Sequence, residues 1–140
     1  MLLKVKKLSL DAVLPSYAHA GDAGMDLFAN ETVTIEPGQA LKIKTGIAME
    51  IPEGYVGLVW DRSSMATNHR LKKLSGVIDS GYRGEVLLSL INLGDSHYTI
   101  EKGHKVSQML VQRVERVEVV ESDELTDSSR GSGGFGSTGK

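Results

Sequence analysis

The chain has 140 residues, with 16 basic and 18 acidic side chains for a net charge of −2, and no cysteine. That length supports one hydrophobic core and is too short for two. Charges scattered in near balance exclude a grip on long nucleic acid, and the absence of cysteine excludes disulfides, thiolate zinc sites and a thiol nucleophile. A small anionic ligand stays open, because a few local arginines and backbone N–H groups are enough to hold one.

Taken in chain order, Met1 to Lys7 starts apolar but is interrupted by charges, which reads as a strand and not as a signal peptide. No apolar run approaches the roughly 18–20 residues of a membrane span. A soluble, cytoplasmic protein is expected, nuclear or organellar if the source so directs, with no membrane partner. Short runs of period two follow: Val33-Thr34-Ile35, Leu41-Lys42-Ile43-Lys44 and Tyr55 to Trp60. Glu36-Pro37-Gly38-Gln39 and Pro52-Glu53-Gly54-Tyr55 supply Pro and Gly where turns between strands need them. This predicts an all-β domain of many short strands.

Ser63 to His69 alone reads as a helix, with Ser63 and Ser64 offering N-cap hydroxyls. Next, Gly76 to Val86 places Asp79-Ser80-Gly81-Tyr82 between Val77-Ile78 and Val86-Leu87-Leu88, the signature of a hairpin with Gly81 at positive φ. Further strands are predicted at Glu85 to Asn92, Lys105 to Val111 and Arg113 to Val119. The four histidines, at positions 19, 69, 97 and 104, lack metal-ligand spacing and read as surface or turn residues.

After Val120 the composition shifts to acidic, Ser and Gly residues, so the domain is drawn at 1–120 and a flexible arm at 121–140. Composition alone fits a solubilising tail. A single Arg130 and Phe135 among bare backbone N–H groups also fit a phosphate clamp that orders on its ligand.

Five stretches in order carry a resemblance: Ala20 to Leu27, Arg62 to Ala66, Gly76 to Val86, Gly103 to Met109 and Arg130 to Gly139. Together they resemble the trimeric dUTP pyrophosphatase (dUTPase) family over the whole chain. The resemblance implies a jelly-roll-like β-barrel, a homotrimer whose sites are shared between subunits, and cleavage of dUTP to dUMP and pyrophosphate. Mg2+ would ride on the triphosphate while water attacks the α-phosphorus.

By this resemblance Asp79 is the catalytic carboxylate that holds and deprotonates the water, a role that requires an ionised acceptor. Main-chain groups of Gly76, Val77, Ile78 and Leu87 would read the uracil edge, a donor facing O4 and an acceptor facing N3–H. A site so built rejects the reversed pattern of cytosine by about 10⁴-fold. Tyr82 would pack on deoxyribose and exclude a 2′-hydroxyl. Arg62, Ser63 and Ser64 would bind the phosphates, Arg62 as a fork of donors and Ser63 near the α–β bridging oxygen. Gln108 matches a further phosphate contact. Asp26 is implied either as water-mediated support for Mg2+ or as a structural acid. In the arm, Arg130 would pair with the γ-phosphate, Phe135 would stack on uracil, and Gly136, Ser137 and Thr138 would cradle the terminal phosphates.

Several positions depart from the family pattern. Asp61 sets a carboxylate beside Arg62, so either Mg2+ offsets it or it points away; Met25 replaces an aromatic, His104 stands where an acid is common, and Lys73 falls near the base pocket. A related family, the dCTP deaminases, shares the fold. It carries a glutamate ten residues after the turn Asp, where this chain has Ser89, and a hydroxyl cannot replace that general base near neutral pH. A non-catalytic β-sandwich binding module is the third reading, and it leaves the five stretches to coincidence.

Overall fold

The computed structural model describes residues 1–135. Among them the elements run β1 (Lys4–Lys7), β2 (Met25–Phe28), β3 (Val33–Ile35), β4 (Ala40–Glu50), β5 (Tyr55–Asp61), α1 (Ser63–His69), β6 (Leu71–Lys73), β7 (Val77–Ile78), β8 (Glu85–Asn92), β9 (Tyr98–Ile100) and β10 (Lys105–Arg113). All pairings are antiparallel, as alternating short strands with tight turns require. One sheet has the order β1-β4-β8-β6, a second β2-β10-β5-β7, and β3 pairs with β9. This is the jelly-roll-like all-β architecture that the sequence implied. Its described helix is too short and polar to cross a membrane.

The core lies between the two larger sheets. Ile43 and Ile47 of β4, Leu88 and Leu90 of β8, Leu27 of β2 and Met109 of β10 are all essentially inaccessible. Truncating any one to alanine removes about 2–5 kcal/mol. The two Pro-Gly turns form where expected: Gln39 N–H donates to Glu36 O at 2.9 Å with Gly38 at φ 76°, and Tyr55 N–H to Pro52 O at 3.1 Å with Gly54 at φ 78°. A positive φ at that third position is what glycine allows without a steric penalty.

Three local expectations are corrected. Val77-Ile78 and Val86-Leu88 are not two arms of one ladder: β7 pairs with β5 and β8 with β4 and β6, so the chain changes sheets at the Asp79 turn. Ser63 and Ser64 do not cap α1; Arg62 is the N-cap residue and makes no side-chain capping bond. No strand spans 113 to 119. β10 ends at Arg113, and Val114, Val117, Val119 and Val120 are exposed. The alternation there is a genuine strand pattern, but a strand needs an edge to pair with, and beyond Val114 N–H, which donates to Gly54 O at 3.0 Å, the described residues offer it none.

Ser107, on β10, is wholly buried and its Oγ has no hydrogen-bond partner. A desolvated hydroxyl without a partner is destabilising, so Ser107→Ala is expected to stabilise the fold by about 1 kcal/mol. Urea unfolding at fixed protein concentration checks this; an unchanged or lower midpoint counts against it.

Candidate active site

Because the chain changes sheets at the Asp79 turn, the edges of β7 and β8 diverge and leave a cleft of about 270 Å³ between them. Val77, Ile78, Asp79, Tyr82 and Leu87 line it. Val59 N–H donates to Gly76 O at 2.7 Å, so alternation along the strand leaves the main-chain groups of Val77 on the edge that β5 does not occupy. On β8, Leu74 N–H donates to Ser89 O, and the same alternation sends the N–H and C=O of Leu87 toward the edge that β6 never reaches. Val77 and Leu87 therefore hold main-chain donors and acceptors that no described strand uses. Gly76 has a packing reason: a Cβ there would fall 2.6 Å from Val59 O.

The turn is held by main chain and by Arg83. Tyr82 N–H donates to Asp79 O at 3.1 Å, and Arg83 Nη1 donates to Ser80 O at 2.6 Å and Tyr82 O at 2.9 Å. Gly81 does not take the positive φ expected of it, because these bonds close the turn without a left-handed residue. The Asp79 side chain stands exposed at the mouth of the cleft. Tyr82 O–H donates to Glu85 O at 2.9 Å and folds the ring over Gly84, where a Cβ would lie 2.4 Å from the phenol oxygen. Glu85 in turn accepts from Gly46 N–H at 2.8 Å, tying the start of β8 to the irregular stretch of β4.

A second cleft, of about 580 Å³, opens at the β2 edge of the β2-β10-β5-β7 sheet, where Asp26, Arg62, Ser63, Ser64 and Gln108 converge. Asp26 is 7% exposed and takes Arg62 Nε at 3.1 Å on one oxygen and Lys105 Nζ at 2.7 Å on the other. Gln108 Nε2 donates to Asp61 O at 2.9 Å. The Asp61 carboxylate points away from this cleft: it accepts from Lys73 N–H at 2.7 Å and from Lys72 Nζ, fastening β6 to the end of β5. Two carboxyls outside both clefts are held acidic, Asp11 at about 2 by hydrogen bonds from Lys102 and Ser9, and Glu50 below its usual range by Lys4.

A Cβ on Gly24 would fall 2.5 Å from Gln108 Oε1. Gly24→Ala is therefore expected to swing the Gln108 amide out of the second cleft and raise KM for an anionic substrate about 10- to 100-fold, the loss of one hydrogen bond to a charged group. Steady-state kinetics checks it, and an unchanged KM separates Gln108 from binding.

The two linings share no residue, and β2 and β7 are the opposite edges of one four-stranded sheet. The structure thus gathers Gly76, Val77, Ile78, Asp79, Tyr82 and Leu87 in one place, and Arg62, Ser63, Ser64, Gln108 and Asp26 in another. It does not bring the two groups together within one chain. Arg130 and Phe135 line neither cleft; Arg130 Nε donates to Gly133 O at 2.7 Å, and Phe135 is exposed. Gly136, Ser137 and Thr138 lie outside the described residues. Among the noted departures, Met25 belongs to the core, His104 Nδ1 accepts from Glu101 N–H in the turn before β10, and Lys73 lies 5.3 Å from the Trp60 ring, outside the first cleft. All four histidines are exposed, as expected.

Sequence reasoning missed Lys42 and Glu85 in the first cleft, and His19, Asp22 and Lys105 around the second. Lys42 enters because it pairs across strands with Ser89, a register that no local pattern announces.

A family model described as dUTPase matches residues 11–139. Relatives named deoxyuridine 5'-triphosphate nucleotidohydrolase include that of Clostridioides difficile, 49% identical over 98% of this chain and 97% of its own length. That of Clostridium kluyveri is 47% identical over 99% of both. Among solved structures, a Staphylococcus bacteriophage 80alpha dUTPase with dUPNHPP superposes with a TM-score of 0.93 at 34% identity, covering 99% of each chain. A mutant dUTPase from phage phi11 of S. aureus, described with a structural Mg(II) ion, superposes at 0.82 with 31% identity, over 89% of this chain and 98% of its own. With a matching model across nearly the whole chain and relatives near half identity, the chain belongs to the dUTPase family.

Proposed function

We propose that this protein hydrolyses dUTP to dUMP and pyrophosphate in a site assembled from three subunits. The observation that carries the reading is the division of labour between the clefts. One holds a carboxylate, a ring and unpaired main-chain groups; the other holds Arg62, two serine hydroxyls and an amide. Neither half suffices for a nucleoside triphosphate, and a second copy of the chain supplies the missing one. The exposed Trp60, Leu74 and Val77, with the exposed Val114, Val117, Val119 and Val120, support such an assembly, since apolar surface of this extent is covered in a stable protein.

In this reading the main-chain groups of Val77 and Leu87 hydrogen-bond the uracil edge, and Tyr82 covers the deoxyribose. Asp79 accepts a proton from the attacking water and places it in line with the α-phosphorus. Arg62 and Ser63 donate to the oxygens on which charge grows as the α–β bridge breaks. Arg130 and Phe135 of another subunit close over the γ-phosphate and the base, with Gly136, Ser137 and Thr138 beside them.

Mg2+ is read as a companion of the substrate. Among the described residues no group of three or more His, Asp or Glu could hold it, and Asp26 has turned an oxygen to each of Arg62 and Lys105. Bound to the triphosphate it would offset phosphate charge, and Asp26 could reach it only through water, by lone pairs those cations leave free. The deaminase alternative is disfavoured because Ser89 lines the first cleft where that chemistry needs a carboxylate.

Incubation with dUTP, dCTP, dTTP and UTP in the presence of Mg2+ tests the proposal. The expected products are dUMP and pyrophosphate from dUTP alone at appreciable rate. Release of ammonia from dCTP would install the deaminase reading, and comparable turnover of UTP would remove Tyr82 from sugar selection.

A further inference from the structure

We infer that Lys105 is a positioning residue for Arg62, acting through Asp26, and that a bulge at the start of β10 delivers it there. This rests on the reading of Arg62 as a phosphate ligand. Asp26 lies directly across from Gln108 in the β2–β10 ladder, so the two share a face. Lys105 stands three positions before Gln108, which in a regular strand would send its side chain to the opposite, core face. The register shifts between Lys105 and Ser107, however, so that Val106 and Ser107 are both buried and Lys105 returns to the face of Asp26. Re-aiming a side chain in this way is what an extra residue in one strand does.

The bulge lets Lys105 hold Arg62 from two sides. Its carbonyl accepts from Arg62 Nη1 at 3.3 Å, and its ammonium sits 2.7 Å from Asp26 Oδ2, whose other oxygen takes Arg62 Nε at 3.1 Å. Two points of the guanidinium fork are thereby fixed, and Nη2 is left for an anion in the cleft. Lys105 does not itself line that cleft, so its charge reaches a ligand through the other two residues. Without it, a carboxylate as buried as Asp26 would face Arg62 alone and draw the fork into a bidentate pair. With it, two positive charges face one negative, and Arg62 stays oriented for phosphate.

The test uses the full chain with dUTP turnover and inhibition by deoxyuridine, which has no phosphate. Lys105→Met is expected to lower kcat/KM for dUTP about 10- to 100-fold, the cost of a displaced positioning group. The deoxyuridine inhibition constant should not move, and Lys105→Arg should restore most of the loss. In an Asp26→Asn background, which is itself slow, Lys105→Met should add less than about a twofold effect, because coupled residues are not additive. Wild-type turnover in Lys105→Met, equal losses in both backgrounds, or a parallel loss of deoxyuridine binding would each overturn the inference. Full turnover in Arg62→Ala would instead overturn the reading of Arg62 on which it rests.

Discussion

Asp79→Asn is expected to fold, assemble and bind nucleotide as the parent does while kcat falls by about 10²–10⁴-fold, the range for loss of a positioned general base. The scaffold of the turn does not use the carboxylate. It is closed by Tyr82 N–H on Asp79 O and by Arg83 on two carbonyls, none of which an amide side chain disturbs. What the amide lacks is the capacity to accept a proton. Single-turnover rates with dUTP, compared with affinity for a non-hydrolysable analogue, separate the two effects. An undiminished rate would take Asp79 out of the mechanism, and a matching fall in affinity would recast it as a binding residue.

The second large effect concerns the arm. A chain ending at Asp127 should fold normally, because the described residues beyond it contribute nothing to the core and lie in neither cleft. It should nonetheless lose most of its turnover, since in the proposed site Arg130 and Phe135 act on another subunit. Ordering about ten such residues costs on the order of 10 kcal/mol of backbone entropy, so closure is expected only over the full triphosphate. Mixing this truncated chain with full-length Asp79→Asn should restore part of the activity, one chain lending its arm and the other its carboxylate. Full activity of the truncated chain alone would dismiss the clamp. Failure to complement despite demonstrated subunit exchange would dismiss the shared site.

Much of this was legible in the residues. Period-two runs, two Pro-Gly turns and one short polar helix led to the all-β architecture and to α1 at its observed bounds, because each signal is local. Asp79, Tyr82, Arg62 and Gln108 were found through motif resemblance, and the structure sorts them into two clefts. What local signals could not carry was pairing. Val77-Ile78 and Val86-Leu88 look like hairpin arms because both suit a pleated edge, and only the competition for β5 and β4 sends them to different sheets. Arg113 to Val119 failed for a related reason: its alternation is real, and the described residues offer no strand to pair with it. Lys105 escaped notice because a bulge reverses the parity by which facing residues are inferred from sequence.

The change of sheet at Asp79 has a consequence for how selectivity can drift. The walls of the first cleft are anchored in different layers of the fold, and two of its lining residues, Val59 and Val86, also belong to the hydrophobic core. The width of the slot is thus tied to the side-chain volumes packed behind its lining. A methylene lost behind β5 or β8 costs only about 1 kcal/mol of stability. With the base seated there as proposed, the same change resets the clearance that separates a bare pyrimidine C5 from a methylated one. Substrate choice in this architecture is consequently exposed to neutral-looking repacking, and variants with altered tolerance for the 5-methyl group are to be sought in the interior as much as in the site.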